Sequence, residues 1–112
     1  MYKRQGLKDD PAYDLSEKYL KGTGGTMVVF GIKGGKDSGQ EFINNLKMFR
    51  HVANVGDTRS LAIHPASTTH SQLDDEQLIA AGSPAELVRL SIGIEDIDDI
   101  LEDLSQALES TK

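Results

Sequence analysis

Residues 58–73, "TRSLAIHPASTTHSQL", combine serines, threonines and two histidines beside a proline. Serine and histidine are the nucleophile and base of many hydrolases, and histidine also ligates metals. The chain lacks the Gly-x-Ser-x-Gly turn that exposes a nucleophilic serine. His51, His64 and His70 follow no helical pair spacing and have no cysteine beside them. The pattern therefore favours hydrogen-bonding roles for these histidines in a loop.

Arg89 is a second candidate, because it stands alone in the apolar stretch "LVRLSIG". A charged side chain inside a strand costs stability unless it is paired. Two interpretations remain open from the residues themselves. Arg89 either lies at a sheet edge beside an acidic residue, or its guanidinium forms a bidentate clamp for an anion or carboxylate.

Composition restricts the classes of protein to which the chain could belong. Its 112 residues are typical of one domain, and 38% hydrophobic with 27% charged residues are typical of a globular protein. The net charge of -6 opposes binding to nucleic acid or to anionic membranes. The absence of cysteine, of a signal peptide and of an apolar run near ~20 residues leads us to expect a cytoplasmic protein with no membrane span.

Four helices are predicted from apolar spacing and helix-end signals. A short one covers "AYDLSEKYL", and "DSGQEFINNLKMF" combines Phe42, Leu46 and Phe49 at helical spacing with a Ser38–Glu41 capping-box pattern. A third covers "DDEQLIAAG", and "EDIDDILEDLSQAL" predicts a closing amphipathic helix. The acidic residues of its stretch 96–103 alternate with Ile and Leu, which predicts a solvated face and not a cation site.

Three or four strands are predicted at residues 26–33, in "RSLAIH", in "LVRLSIG" and, more briefly, in "HVANVG". In "RSLAIH", Leu61 and Ile63 point to one face and Ala62 to the other. The expected fold is therefore two-layer α/β (α+β), with a small, mostly antiparallel sheet and amphipathic helices on one face. The opposite, polar face is expected to carry the side chains of Ser60, His64, Arg89 and Ser91.

Two long motifs, "ANVGDTRSLAIHPASTTHSQL" and "LVRLSIGIEDIDDILEDL", occur in this order and resemble the C-terminal region of the pyridoxal-phosphate (PLP) enzymes of cysteine and methionine metabolism. The first motif is most similar to the O-acetylhomoserine sulfhydrylase branch of this family. The resemblance implies that residues 1–112 are the small C-terminal domain of an aspartate-aminotransferase-like, fold type I enzyme. It also implies that residues 1–22 form a linker and first helix that join it to a large PLP-binding domain.

The same resemblance implies roles for three residues. Arg89 would clamp the α-carboxylate of an amino-acid substrate, with Ser60 and the backbone N–H of Leu61 beside that carboxylate. The Schiff-base lysine would lie in the large domain, so the chain by itself is expected to hold no catalytic residue and no metal, to bind no PLP and to be inactive. The parent enzyme would be a homotetramer.

The implied reaction of the parent is replacement of the γ-acetoxy group of O-acetyl-L-homoserine by sulfide, which gives L-homocysteine for methionine biosynthesis. Two alternatives remain. The parent could be a related γ-lyase or cystathionine synthase, or the chain could be a free-standing, non-catalytic binding module that uses the polar face of its sheet.

Overall fold

A computed structural model describes residues 6–111, so the part of the predicted linker at residues 1–5 lies outside the described residues. The predicted alternation of helices and strands is confirmed. The helices are α1 (Tyr13–Leu20), α2 (Gly35–Asn45), α3 (Asp75–Ala80) and α4 (Ile97–Glu109). The strands are β1 (Met27–Gly31), β2 (Arg50–His51), β3 (Leu61–Ile63) and β4 (Leu87–Ser91), and a 3₁₀ turn covers Pro65–Ser67.

The four strands form one mixed sheet in the order β1-β4-β3-β2. Strand β4 pairs antiparallel with both β1 and β3, and the short β2 pairs parallel with β3. Two of the three pairings are antiparallel, so the predicted small, mostly antiparallel sheet is confirmed. The order makes β4 an interior strand, with hydrogen-bonded neighbours on both sides.

One face of this sheet and the helices α2 and α4 enclose the hydrophobic core. Phe42 of α2 is fully buried and meets Phe30 of β1 edge to face, with 5.8 Å between ring centroids and 81° between ring planes. The apolar stripe of α4 closes the layer through Ile100 and Ala107. Within residues 6–111, no helix is both long and apolar enough to span a membrane.

The predicted faces of β3 are wrong. Ala62 pairs with Leu90 of β4, and both belong to the core, whereas Leu61 pairs with Ser91 and Ile63 with Arg89. Directly paired residues point to the same face, so Leu61 and Ile63 share the Arg89 face. The predicted grouping of Ser60 and His64 with Arg89 fails for this reason. All three β3 residues are buried, so their alternation cannot identify the core face.

The start of α2 also differs from the prediction. The helix begins at Gly35, behind Gly34 at φ 109°, and no side chain caps it. Ser38 therefore lies inside the helix, and the predicted Ser38–Glu41 capping box does not form. Leu46 and Phe49 lie beyond the last helical residue, yet both are buried in the core. A reciprocal capping box does occur at α3, where Asp74 and Gln77 bond to each other's backbone.

Asp103 is the exception to the predicted solvated face of α4, since it is only 6% exposed. Its carboxylate accepts hydrogen bonds from the backbone N–H groups of Lys47 (2.8 Å), Met48 (2.9 Å) and Phe49 (3.3 Å). Burial acts to raise the pKa of the Asp103 carboxyl, but these bonds and one from Gln106 outweigh it and lower the pKa below its ordinary value. Asp103 thus fixes the chain that leaves α2 against α4.

Replacement of this carboxylate should destabilise the chain. We expect Asp103→Asn to lower the free energy of unfolding by about 2 kcal/mol at pH 7, because an amide accepts fewer of these bonds. Glu102→Gln, at an exposed position beyond the first turn of the same helix, should change it by less than about 0.5 kcal/mol. Urea denaturation of the cofactor-free chain, followed by circular dichroism, measures both values and tests whether the chain unfolds cooperatively.

The effect of Asp103→Asn should depend on pH with a definite sign. The lowered pKa means that the stabilisation is present above the pKa of the unfolded carboxyl, about 3.9, and is lost as the pH falls through the folded pKa. The two midpoints should therefore converge below pH ~4. A difference that stays constant into acid would contradict the assigned role of the Asp103 carboxylate.

Candidate functional site: an arginine on the sheet face opposite the core

Arg89 lies in the middle of β4, on the face opposite α2 and α4. Its direct neighbours are Val29 of β1 and Ile63 of β3, so the guanidinium projects from an apolar surface. The side chain is half-buried, and no carboxylate among residues 6–111 forms an ion pair with it. The interpretation of Arg89 as an edge residue beside an acid is therefore wrong for the described residues. An unpaired guanidinium keeps its donors available for an anion.

The one hydrogen bond made by the Arg89 side chain within residues 6–111 is long. Its Nη2 donates to the carbonyl oxygen of Asn54 at 3.5 Å. This contact places the residues that follow β2 at the rim of the Arg89 site. Asn54 accepts the Val55 N–H with its own side chain at 2.8 Å, and Gly56 adopts φ 75°, so a tight turn carries the carbonyl there. Asn54 was not among the predicted site residues, and the "NVG" turn signal is the sequence feature that could have indicated it.

Ser91 adds a second unsatisfied polar group to the Arg89 face. It lies two residues along β4 from Arg89 and is 3% exposed. In the described part of the chain its Oγ has no hydrogen-bond partner. Leu61, directly opposite on β3, is buried on the same face, as the register requires. The Arg89 face therefore combines buried apolar side chains with a buried hydroxyl that has no partner among the described residues.

Ser60 is fully buried, and its polar atoms are used within the protein. Its N–H donates to Glu95 Oε1 at 2.7 Å, its hydroxyl donates to Oε2 at 2.8 Å, and the same hydroxyl accepts the Gly93 N–H at 3.0 Å. Its carbonyl accepts the Arg50 N–H at 3.0 Å. The structure therefore brings Leu61, but not the Ser60 hydroxyl, to the face of Arg89.

The Glu95 carboxyl has an altered pKa because of its contact with Ser60. Desolvation by burial acts to raise this pKa, but the bonds from the Ser60 N–H and hydroxyl outweigh it, so the pKa lies below its ordinary value. Glu95 is consequently ionised near neutral pH. The sequence analysis gave no role to Glu95, because neither periodicity nor spacing indicates that it contacts a residue 35 positions away.

His64 is a structural residue with no exposed surface. Its Nε2 lies 2.7 Å from the Ala85 carbonyl and its Nδ1 2.8 Å from Ser67 Oγ, while Gly39 packs against the ring. Burial lowers the pKa of His64 despite the bond to Ala85, so the ring is neutral at pH 7. This environment confirms the hydrogen-bonding interpretation for His64.

The other hydroxyl-rich residues lie elsewhere. Thr68 and Thr69 line a cleft of about 290 Å³ between α2, the β2–β3 edge and the 3₁₀ turn, and Arg89 does not line it. His70 Nδ1 lies 2.8 Å from Thr69 Oγ1. No group of three or more histidine, cysteine or acidic residues within residues 6–111 could hold a metal ion. The chemistry available to the described face is therefore anion binding by Arg89.

Comparison with known proteins identifies the family and agrees with this fold. The family of Cys/Met metabolism PLP-dependent enzymes matches residues 3–109. O-acetyl-L-homoserine sulfhydrylase 1 of Thermus thermophilus is 52% identical over 103 residues, which are 92% of this chain and 24% of that protein. O-acetyl-L-homoserine sulfhydrylase of Corynebacterium glutamicum is 55% identical over 100 residues, 88% of this chain and 23% of that protein.

A solved structure shows the same fold. Yeast cystathionine γ-lyase superposes with a TM-score of 0.86 at 39% identity, over 96% of this chain and 28% of that one. The chain thus spans about a quarter of the length of the relatives it matches. Because the family match extends over almost all of the sequence and the fold agrees, this chain belongs to the family of Cys/Met metabolism PLP-dependent enzymes.

Proposed function

We propose that the chain is the C-terminal, substrate-binding domain of an O-acetyl-L-homoserine sulfhydrylase, and that Arg89 binds the α-carboxylate of the substrate. The observation that carries the proposal is the half-buried Arg89 guanidinium in the middle of the sheet, which has no carboxylate partner among residues 6–111. An amino-acid substrate supplies the planar anion that this group lacks. Residues 1–112 then form the small domain, and residues 1–22 connect it to the large domain.

In this proposal, Arg89 contributes to the reaction by orienting the substrate. Two parallel N–H···O bonds fix the plane of a carboxylate as well as its position. The bond to the α-hydrogen is thereby held in a fixed direction relative to the groups that react with it, and such positioning can lower a barrier by several kcal/mol. We further propose that the backbone N–H of Leu61 lies beside this carboxylate, and that Ser60 acts by holding the adjacent loop in place.

The described residues fit a carboxylate but do not fit PLP. A Schiff-base lysine needs an enclosed amine whose pKa is lowered by its surroundings. All six described lysines are exposed: Lys8, Lys18, Lys21, Lys33, Lys36 and Lys47. We therefore assign PLP and its lysine to the large domain of the parent, a cytoplasmic homotetramer, and assign the clamp for the substrate carboxylate to this chain.

Sequence identity favours the sulfhydrylase over the other reactions of the family. The two sulfhydrylases are 52% and 55% identical to this chain, and the L-methionine γ-lyase of Pseudomonas putida is 44% identical. A free-standing binding module is less consistent with α1, where Leu15 and Tyr19 are 59% and 68% exposed and only Ser16 is buried. Such an apolar surface is typical of an interface, which a large domain would cover.

Substitution of Arg89 tests the clamp. In the full-length enzyme we expect Arg89→Lys to reduce kcat/KM for O-acetyl-L-homoserine by at least about tenfold, because lysine keeps the charge but cannot form the bidentate pair. In the 112-residue chain the same substitution should change the free energy of unfolding by less than about 1 kcal/mol. Steady-state kinetics and urea denaturation give the two values.

The kinetic and stability measurements together also test the alternative that Arg89 is a structural residue. A large loss of stability in the chain together with near-normal kinetics of the enzyme would make Arg89 a structural residue. The proposed carboxylate site would then be wrong.

Covalent attachment of PLP tests the assignment of the cofactor. After incubation of the chain with PLP and reduction with borohydride, we expect substoichiometric labelling spread over several lysines, because each described lysine is exposed. Peptide mass spectrometry measures the label at each position. Full labelling of a single lysine would contradict the assignment of the cofactor to the large domain.

A further inference from the structure

A loop of residues 52–60 links the Arg89 site to the end of β4. It leaves the sheet after β2 and returns at Ser60, immediately before β3. The Arg50 N–H donates to the Ser60 carbonyl at 3.0 Å and closes the base of this loop. Near its other end, the Asn54 carbonyl lies against Arg89 Nη2. The path of the 52–60 loop therefore determines which backbone atoms lie beside the Arg89 guanidinium.

The returning part of the 52–60 loop is held by the residues that follow β4. The Ile94 N–H donates to the Thr58 carbonyl at 3.0 Å, and the Gly93 N–H donates to Ser60 Oγ at 3.0 Å. Gly93 allows this approach because it lacks a Cβ, which would overlap the Thr58 carbonyl oxygen and the Arg59 carbonyl carbon. The loop thus rests on the extension of the strand that carries Arg89.

Glu95 makes the charged contact in this arrangement, because its two oxygens bind the N–H and the hydroxyl of Ser60. Bonds to an ionised acceptor are about twice as strong as neutral ones. The lowered pKa of Glu95 agrees with an ionised carboxylate. Residues 52–56 are all exposed, so packing contributes little to their position and the anchoring of the loop has to come from its ends.

We propose that Glu95 is a positioning residue for substrate binding: through Ser60 it fixes the 52–60 loop so that Asn54 remains beside Arg89 and the guanidinium is held in one orientation. Glu95 itself touches neither the guanidinium nor a substrate. This inference rests on the proposed function, because it assumes that Arg89 receives a carboxylate. Release of the loop would leave the charge of Arg89 in place and would weaken the binding of the carboxylate.

The test uses the full-length, PLP-loaded enzyme and the probe L-norleucine, an amino acid with no leaving group on its γ-carbon. We expect Glu95→Gln to raise the inhibition constant of L-norleucine and the KM for O-acetyl-L-homoserine by about tenfold, because one acceptor for Ser60 is lost, with kcat changed less than about threefold. Ser60→Ala should act in the same direction. The double variant should be less impaired than the product of the two single effects, since both act through one contact.

Two further variants distinguish a specific role of Glu95 from a general effect of removing an acidic charge and from a failure of the carboxylate site itself. Glu102→Gln, an exposed acid on α4, is the matched control and should leave both constants within about twofold of the wild type. Arg89→Lys reports on the proposed function in the same assay. If Arg89→Lys weakens L-norleucine binding but Glu95→Gln and Ser60→Ala do not, the role of Glu95 is wrong and the carboxylate site stands.

If Arg89→Lys leaves L-norleucine binding unchanged, the proposed function itself fails. If Glu95→Gln lowers kcat and the melting temperature without raising the inhibition constant, Glu95 is structural and the inference is overturned. Ser60→Ala keeps the test decisive if Glu95→Gln does not fold, because Ser60→Ala leaves the bond from the backbone N–H to Glu95 in place.

Discussion

The placement of one cation organises this domain: Arg89 lies in the centre of a sheet, between two apolar neighbours, without a carboxylate from the described residues. A charge in such a position is tolerated because the Arg89 side chain is only half-buried, so the guanidinium keeps part of its hydration. Helices α2 and α4 pack on the opposite face of the sheet, where the hydrophobic core lies. The sheet therefore has a core face and a second face that carries Arg89.

Two carboxylates hold the ends of the irregular segments around this sheet. Asp103 binds three consecutive backbone N–H groups where the chain leaves α2, and Glu95 binds the N–H and hydroxyl of Ser60 where the 52–60 loop returns. In both cases an ionised acceptor satisfies donors that no regular element could pair. These two acids are thus part of the internal framework, although the composition of the chain suggests only a negatively charged surface.

The sequence was sufficient for the order of the elements, the mostly antiparallel sheet and the helices on one face, because these depend on periodicity and end signals. It was insufficient to predict which side chains of β3 face the core. That strand has three residues, all buried, and its register is set by pairing with β4, where a shift of one residue exchanges the two faces. The same error placed the Ser60 hydroxyl beside Arg89. Contacts between distant residues, such as Glu95 with Ser60 and Arg89 with Asn54, leave no periodic signal in either segment.

The half-buried position of Arg89 also bears on the carboxylate site that we propose. While the face is hydrated, a bond between Arg89 and a carboxylate competes with water and adds little. In the enzyme we propose, the large domain covers the face and excludes that water, so the effective dielectric falls and the same pair strengthens. Binding of the carboxylate and docking of the two domains then favour each other. A guanidinium that is already held by the 52–60 loop gains most from this covering, because little further ordering is needed when the substrate arrives.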